Sequence, residues 1–322
     1  MQAIQVHQFG DPTVMQLATV NNLQPATGQV VVAIQAAGVN PVDTYIRAGT
    51  YARKPDLPYT PGIDGAGTIL AIGPEVTQWQ VGDRVYGGWP LSGTYAQQAL
   101  YAADQVYSLP ATISFPPGAA IFVPYSTAYR ALIHKGQAQP GETVLIHGAT
   151  GSVGLAAVQL AKSRGLQVIG TGGSPAGRQL VTEQGADYVL DHRAEGYLDQ
   201  VMEITAGKGV DVILEMLANV NLSHDLAALA FKGRVVVIGS RGTVEIEPRA
   251  TMGKESIITG LSLFNTPAAE MRQIQAALYA GLQNGTLNPV ISHELPLSEA
   301  VKAHEQVMQS GSQGKIVLRP CE

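Results

Sequence analysis

The stretch Val144–Arg164, VLIHGATGSVGLAAVQLAKSR, decides the fold. Val144 to His147 is a short apolar-rich run of the kind a buried parallel strand carries. Gly148 to Gly154 makes a tight turn, and from about Ser152 to Arg164 the apolar residues recur at helical spacing. Ala149, Gly151 and Gly154 stand at the three fingerprint positions of a dinucleotide-binding turn, with alanine in the first. The small residues allow, in turn, a sharp bend, close approach of backbone to a pyrophosphate, and close packing of helix on sheet. Free N–H groups and the positive end of the helix dipole then face the phosphates. A glycine-rich turn alone is weak evidence; one set between a strand and a helix is much stronger.

Downstream the same rhythm continues. QVIGT, ADYVL, VDVILEM, RVVVIGS and IITGLSL read as strands, with AGRQLVTEQG, YLDQVMEITAG and LSHDLAALA as helices between them. About six apolar strands with helical crossovers predict an α/β chain built on a Rossmann doubly wound parallel sheet over residues 125–264. Upstream, from Met1 to Pro124, short strand-like runs (QVVVAIQAAG, GAGTILAIG, DRVYGGW, TYAQQALYAA) alternate with turn signals such as Asn40-Pro41 and Pro61-Gly62. They predict a compact, partly closed β-domain. After Asn265, two helical stretches and a closing strand KIVLR break the alternation. Residues 265–322 are therefore assigned back to the domain of residues 1–124, and a cleft between the domains is expected to hold the cofactor.

The composition narrows the function. At 322 residues, with 45% hydrophobic and 14% charged residues, the chain can bury two cores. A net charge of −5 argues against a general nucleic-acid or anionic-membrane binder. No apolar run approaches the roughly 20 residues of a membrane span, and MQAIQVHQFG lacks a signal-peptide layout. Cys321 is the only cysteine, which excludes an internal disulfide and a cysteine-built zinc site and fits a reducing cytoplasm. No Gly-x-Ser-x-Gly elbow occurs, against a serine hydrolase. Six of the seven histidines (7, 134, 147, 224, 293 and 304) are read as structural or exposed, and His192 is kept as a site residue.

The second strand indicates which dinucleotide binds. NAD-type folds carry an acid about 20 residues past the glycines to bond the ribose 2′-hydroxyl. Here the segment reads Thr171-Gly172-Gly173-Ser174-Pro175-Ala176-Gly177-Arg178, and no acid follows before Glu183. Small residues leave room for a 2′-phosphate, Ser174 can donate to it, and Arg178 can pair with it. NADP(H) is therefore expected over NAD.

Six stretches carry a resemblance: AGVNPVDTYIRAGTY (37–51), LPYTPGIDGAG (57–67), YSTAYRALIH (125–134), HGATGSVGLAAVQLA (147–161), EMLANVNLSHDL (215–226) and GSRGTVEIEPRATMGKES (239–256). They resemble the zeta-crystallin group of NADPH:quinone oxidoreductases, in the zinc-free branch of the medium-chain dehydrogenase/reductase superfamily. The resemblance spans nearly the whole chain and implies a GroES-like β-domain beside the Rossmann domain. Carried over by position, the group's NADP contacts fall on Tyr45, Thr150, Gly151, Ser152, Val153, Gly173, His192 and Asn221. They continue at Ile238, Gly239, Ser240, Arg241, Leu261, Ser262 and Leu263. The zinc ligands of the related alcohol dehydrogenases, a Cys and the His of a Gly-His-Glu motif, are replaced by Asn40 and by Gly62-Ile63-Asp64. No metal site is therefore expected.

A quinone needs no Lewis acid, because it is already electrophilic and gains aromaticity on reduction. The protein has to orient it, pass electrons or hydride to it, and stabilise negative charge on the accepting oxygen. Asn40, Tyr45 and Tyr51 lie in the loop that resembles the group's substrate wall and carry amide and phenol donors. Asp43 and Arg47, flanking Tyr45, are expected to form a local ion pair. The aliphatic stripe IITGLSLF suits a core or a subunit interface, and a dimer or tetramer is expected. Rival readings are an NADPH-dependent enal or enone reductase on the same scaffold, and a low-turnover NADPH-binding protein with a structural or RNA-binding role. The acidic charge disfavours RNA.

Overall fold

The computed structural model describes residues 1–320; Cys321 lies outside them. The chain forms two compact units. The nucleotide-type unit comprises Pro124–Leu278 and Asn284–Asn288. The β-rich unit comprises Met1–Val123, Tyr279–Gln283 and the residues from Pro289 onward.

The nucleotide-type unit holds six parallel strands: Thr143–Ile146, Gln167–Thr171, Tyr188–Leu190, Val210–Glu215, Leu229–Val237 and Ile257–Gly260. Numbered along the chain, they line up in the order third, second, first, fourth, fifth, sixth. The first strand is central, with Val144 beside Val168 on one side and Val212 on the other. Val144, Leu145, Ile146, Val168, Ile169, Val212, Ile213 and Leu214 are fully buried, which is why these strands read as continuous apolar runs. Strand order reverses between the first and fourth strands, and ligands of open α/β sheets bind beyond the carboxyl ends at such a reversal.

In the β-rich unit the long strand Gln29–Gly38 organises the sheet. It pairs antiparallel with Asp64–Ile72, with Gln98–Ala102 and, at its end, with the closing strand Lys315–Arg319. Asp64–Ile72 continues to Arg84–Gly87, and that strand to Val106–Ser108. The core beneath them includes Val30, Val32, Ile34, Ile69, Tyr95, Tyr101 and Leu318. The α/β class, with a Rossmann sheet and a GroES-like unit, is the expected one.

One boundary differs from the sequence expectation. The helix Ala268–Gln283 belongs to the nucleotide-type unit as far as Leu278. Its side chains explain this: Gln275 donates to Ser126 Oγ at 2.9 Å, and Glu270 accepts from Arg130 Nε at 3.0 Å. Among the described residues, no helix is long and apolar enough to cross a membrane.

Candidate active site

The small-residue turn is built as its sequence requires. Gly148 takes a φ of +56°, a left-handed conformation that favours glycine. Its N–H donates to Thr171 Oγ1 at 3.1 Å, and the Ala149 N–H donates to the Thr171 carbonyl at 3.0 Å, so the turn is tied to the second strand. A Cβ on Gly154 would lie 2.5 Å from the Gly148 carbonyl oxygen and 2.6 Å from Ala149 Cα, so only glycine lets the helix Ser152–Ser163 pack this close. Gly151 caps that helix, and the nearest atom to a Cβ there is 3.6 Å away. The backbone at Gly151 is therefore open to a ligand. Thr150, Ser152 and Val153 complete the helix start, where unpaired N–H groups favour an anion.

Beyond the second strand, Gly173 lies under two basic side chains. A Cβ there would meet Arg193 Nε at 2.7 Å and His192 Nε2 at 2.9 Å. His192 was expected; Arg193, an exposed guanidinium one residue further on, was not. Burial, opposed by the charge of Asp191, holds the His192 pKa below its ordinary value. Ser174 caps the helix Pro175–Glu183, its Oγ accepting from the Gly177 N–H at 3.1 Å. Its hydroxyl hydrogen can still donate. Arg178 is engaged otherwise than expected: Nη1 donates to Asp191 Oδ2 at 2.7 Å and to the Gly172 carbonyl at 3.3 Å. The acid that is missing from the second strand thus reaches this loop from just past the third.

The fourth, fifth and sixth strand ends carry the remaining expected contacts. Glu215 Oε1 accepts a short bond from the Leu217 N–H and one of 3.2 Å from Asn221 Nδ2, so it fixes both the loop and Asn221. The Ile238 and Gly239 N–H groups donate to the Glu215 carbonyl, and a Cβ on Gly239 would sit 2.4 Å from the Met216 oxygen. Ser240 and Arg241 follow as an exposed loop, held where the Arg241 N–H donates to Asn219 Oδ1 at 2.8 Å. Leu261 is anchored by its N–H to the Val237 carbonyl. Ser262 is held by a residue the sequence reading missed. Arg130, buried in a π-helical turn (Arg130–Lys135), donates to the Ser262 carbonyl at 2.8 Å and the Asn265 carbonyl at 3.4 Å. A single arginine within the apolar stretch YSTAYRALIH was the available signal. The turn that follows at Leu263–Asn265 is a single 3-10 turn.

Behind the small-residue turn lies a buried cluster. His147 Nε2 is 2.7 Å from Asp225 Oδ1 and 3.6 Å from Glu215 Oε2. By residue type the three could hold a metal ion, the one such group among the described residues. The 2.7 Å separation is that of a hydrogen bond, shorter than two ligands of one ion allow at metal–ligand distances of about 2.0–2.2 Å. Burial works against charge on His147, but the Asp225 hydrogen bond and the two acids hold its pKa above its ordinary value. Burial raises that of Glu215.

In the β-rich unit, Asn40 caps the helix Pro41–Arg47, which carries Tyr45. Tyr45 is half-buried, and its carbonyl accepts from the Thr50 and Tyr51 N–H groups, bringing half-buried Tyr51 back beside the helix end. Asn40 is only 3% exposed, and its amide is engaged. Lys315 Nζ makes a short hydrogen bond to its Oδ1, and its Nδ2 donates to Asp64 Oδ2 at 3.1 Å. The expected Asp43–Arg47 pairing gives way to a capping box. Asp43 Oδ2 turns back to the Asn40 N–H at 2.8 Å, and Arg47 Nη2 donates to the Thr44 carbonyl at 3.5 Å. Burial pushes the Asp43 carboxyl up to about 7.

The same cluster occupies the positions where the resemblance sets zinc ligands in the related alcohol dehydrogenases. Asn40 and Ile63 offer neither thiolate nor imidazole, and Asp64 is paired with the Lys315 ammonium at 2.8 Å. A cation of the chain itself already meets the Asp64 carboxylate, so the donors at these positions do not suit zinc.

A doubly wound sheet with this turn, beside a GroES-like unit, defines a nicotinamide-dinucleotide oxidoreductase of the medium-chain type. The family model described as zinc-binding dehydrogenase matches residues 152–279, and that of the alcohol dehydrogenase GroES-like domain matches 26–111. Quinone oxidoreductase of Homo sapiens is 49% identical over 320 residues, covering 99% of this chain and 97% of its own. That of Lama guanicoe is 51% identical with the same coverage. The solved quinone oxidoreductase of Escherichia coli, in complex with NADPH, superposes with a TM-score of 0.90 at 32% identity, covering 99% of this chain and 100% of that one. The chain belongs to the quinone oxidoreductase family, the zeta-crystallin-like members of the medium-chain dehydrogenase/reductase superfamily.

Proposed function

We propose that the chain is a zinc-free, NADPH-dependent quinone reductase. The observation that carries this reading is the likeness to quinone oxidoreductases along 99% of the chain. The open backbone at Gly151 supports coenzyme binding. Thr150 to Val153 would hold the pyrophosphate, and the loops carrying Gly173, His192, Asn221, Gly239 and Leu261 would hold the rest of the coenzyme. Ser174 and Arg193 are assigned to the 2′-phosphate, with Arg178 reaching it through the guanidinium nitrogens other than the Nη1 that Asp191 and Gly172 hold, and charge-assisted bonds give the preference over NADH. When bound, NADPH supplies the reducing equivalents. On the substrate side, Tyr45 and Tyr51 phenols and the Asn40 amide donate to the oxygen that gains negative charge as the quinone is reduced.

Oxidation of NADPH by the purified protein with 9,10-phenanthrenequinone and 1,4-benzoquinone, against 2-alkenals, tests the reaction. Quinones are expected to be reduced and alkenals not. Tyr45→Phe is expected to lower quinone turnover with NADPH affinity intact. A protein that oxidises NADPH with no quinone sinks the reading, and equal affinity for NADH and NADPH removes the 2′-phosphate assignment.

The setting we assign is a cytoplasmic homo-oligomer free of stoichiometric zinc. The single cysteine of the sequence suits a reducing compartment. The sixth strand, Ile257–Gly260, is an edge strand with Ile257 exposed, and Phe231 and Met252 are exposed in the same unit. Such edges and apolar side chains favour pairing between copies.

A further inference from the structure

We propose that Lys315 is a positioning residue for Asn40: its buried ammonium fixes the amide by its oxygen and leaves the amide hydrogens to donate. The proposal rests on the quinone-reductase reading and assigns this lysine a part in it. Lys315 opens the closing strand and is 1% exposed, an unusual place for a lysine. Its stem reaches inward past Gly38, where a Cβ would lie 2.7 Å from Lys315 Cε and 2.1 Å from the Ala119 carbonyl oxygen. Glycine at 38 therefore keeps open the path along which the lysine lies. At its end, Nζ donates to Asp64 Oδ2 at 2.8 Å and, by a short bond, to Asn40 Oδ1. Asp64 is held in turn, its Oδ1 accepting from the Val123 N–H at 2.8 Å.

The orientation of the Asn40 amide follows from donor chemistry. An ammonium has hydrogens only to give, so the amide must turn its oxygen to Lys315 and its NH2 group away. One amide hydrogen goes to Asp64, and the backbone N–H goes to Asp43. The amide is thus fixed at two points and the residue at a third, its backbone N–H, with a second Nδ2 hydrogen not used by those bonds. A cation on the oxygen also polarises the amide, so its N–H groups donate more strongly. Where the zinc-dependent relatives of the resemblance place a metal ligand, this chain places an amide held by its own cation.

The test is steady-state kinetics of the full-length protein with NADPH and 9,10-phenanthrenequinone, together with NADPH affinity measured separately by fluorescence. Lys315→Met is expected to lower kcat at least tenfold with NADPH Kd unchanged. Because Lys315→Met alone strands the Asp64 carboxylate, the paired variant Lys315→Met/Asp64→Asn removes both charges, keeps an acceptor for Val123, and is expected to fold and to show the same loss. Asn40→Ala is expected to cause a similar loss, and its combination with Lys315→Met no further one, since both act through one group. Ethylammonium added to Lys315→Ala is expected to restore part of kcat, which a purely structural lysine would not show. If kcat of the paired variant stays within twofold of the unsubstituted protein, or if the Asn40 and Lys315 effects multiply, the proposal is overturned. An unsubstituted protein inactive on every quinone overturns the functional reading itself, whereas activity unaffected by the lysine overturns this inference alone.

Discussion

Each unit of the molecule buries a polar cluster, and the two balance their charge by different means. In the β-rich unit one carboxylate meets one ammonium. Both oxygens of Asp64 are used, by the Val123 N–H on one side and by Lys315 and Asn40 on the other. In the nucleotide-type unit two acids face a single imidazole. Glu215 Oε2 and Asp225 Oδ2 are buried with no N–H or O–H donor to either. Burial lifts the Glu215 carboxyl to about 7, so this acid takes up a proton far more readily than an exposed one. A cluster closed by lysine needs no proton from solvent, whereas one built from a raised carboxyl and a raised imidazole changes its charge with pH.

Loss of charge balance should be most costly at Asp225. Asp225→Ala removes the partner of a buried imidazole and should cost about 3–5 kcal/mol, read from urea unfolding. Asp225→Asn, which keeps an acceptor oxygen, should cost less. The sign with pH is fixed. The His147 pKa is raised above 6.5, so its contribution is complete below that value and is lost as pH rises through the raised one. Glu215 is raised above 4.5 and changes in the same direction. The nucleotide-type unit should therefore weaken on the alkaline side. An Asp225→Ala protein with an unchanged unfolding midpoint would show that the cluster contributes nothing through charge.

Next in size are two glycines of one turn that should separate folding from binding. In Gly154→Ala the new methyl meets backbone atoms at 2.5 and 2.6 Å, so the turn itself must shift. Overpacking of that kind costs about 1–3 kcal/mol, and NADPH affinity should fall at least tenfold with it. Gly151 has a φ of −76° and no neighbour closer than 3.6 Å, so Gly151→Ala should fold with an unchanged melting temperature. Any loss there is expected in NADPH affinity alone, because no atom of the chain closer than 3.6 Å opposes the methyl. Equal losses of stability in both variants would mean that Gly151 serves packing and not the coenzyme.

What the sequence revealed and what it hid divide along the same line. The turn was legible because Ala149, Gly151 and Gly154 act on one another within six residues, and the apolar runs carry the period of their element. Clusters assembled by the sheet left no such trace. His147 and Glu215 become neighbours only because the first strand pairs with the fourth, and His147 alone looked like a structural histidine. Nothing within KIVLR marks Lys315 as buried; its stem meets Gly38 only because the closing strand pairs with the end of Gln29–Gly38. Asp191 reaches Arg178 from the neighbouring strand, so an acid sought along the second strand could not be found there. The expected Asp43–Arg47 pair had the right helical spacing, but the N-cap drew the carboxylate back to Asn40.

Asp43 borders the lysine-closed cluster and is itself titratable, so a modest pH dependence is expected from it. Burial lifts its carboxyl from 3.8 to about 7, against the pull of the Asn40 N–H and of Lys315. Between those values the folded chain holds a proton that the unfolded chain has released. Stability is therefore complete below about 4 and falls as pH rises through 7. One proton sets a slope of at most about 1.4 kcal/mol per pH unit. Asp43→Asn keeps an acceptor for the Asn40 N–H and has nothing to titrate, so its unfolding free energy plotted from pH 4 to 8 should be flatter than that of the unsubstituted protein by up to this slope. Parallel plots would mean that Asp43 is ionised in the fold, with Lys315 and the helix cap outweighing burial. The β-rich cluster would then be closed by permanent charge throughout, in sharper contrast to the proton-dependent cluster behind the nucleotide turn.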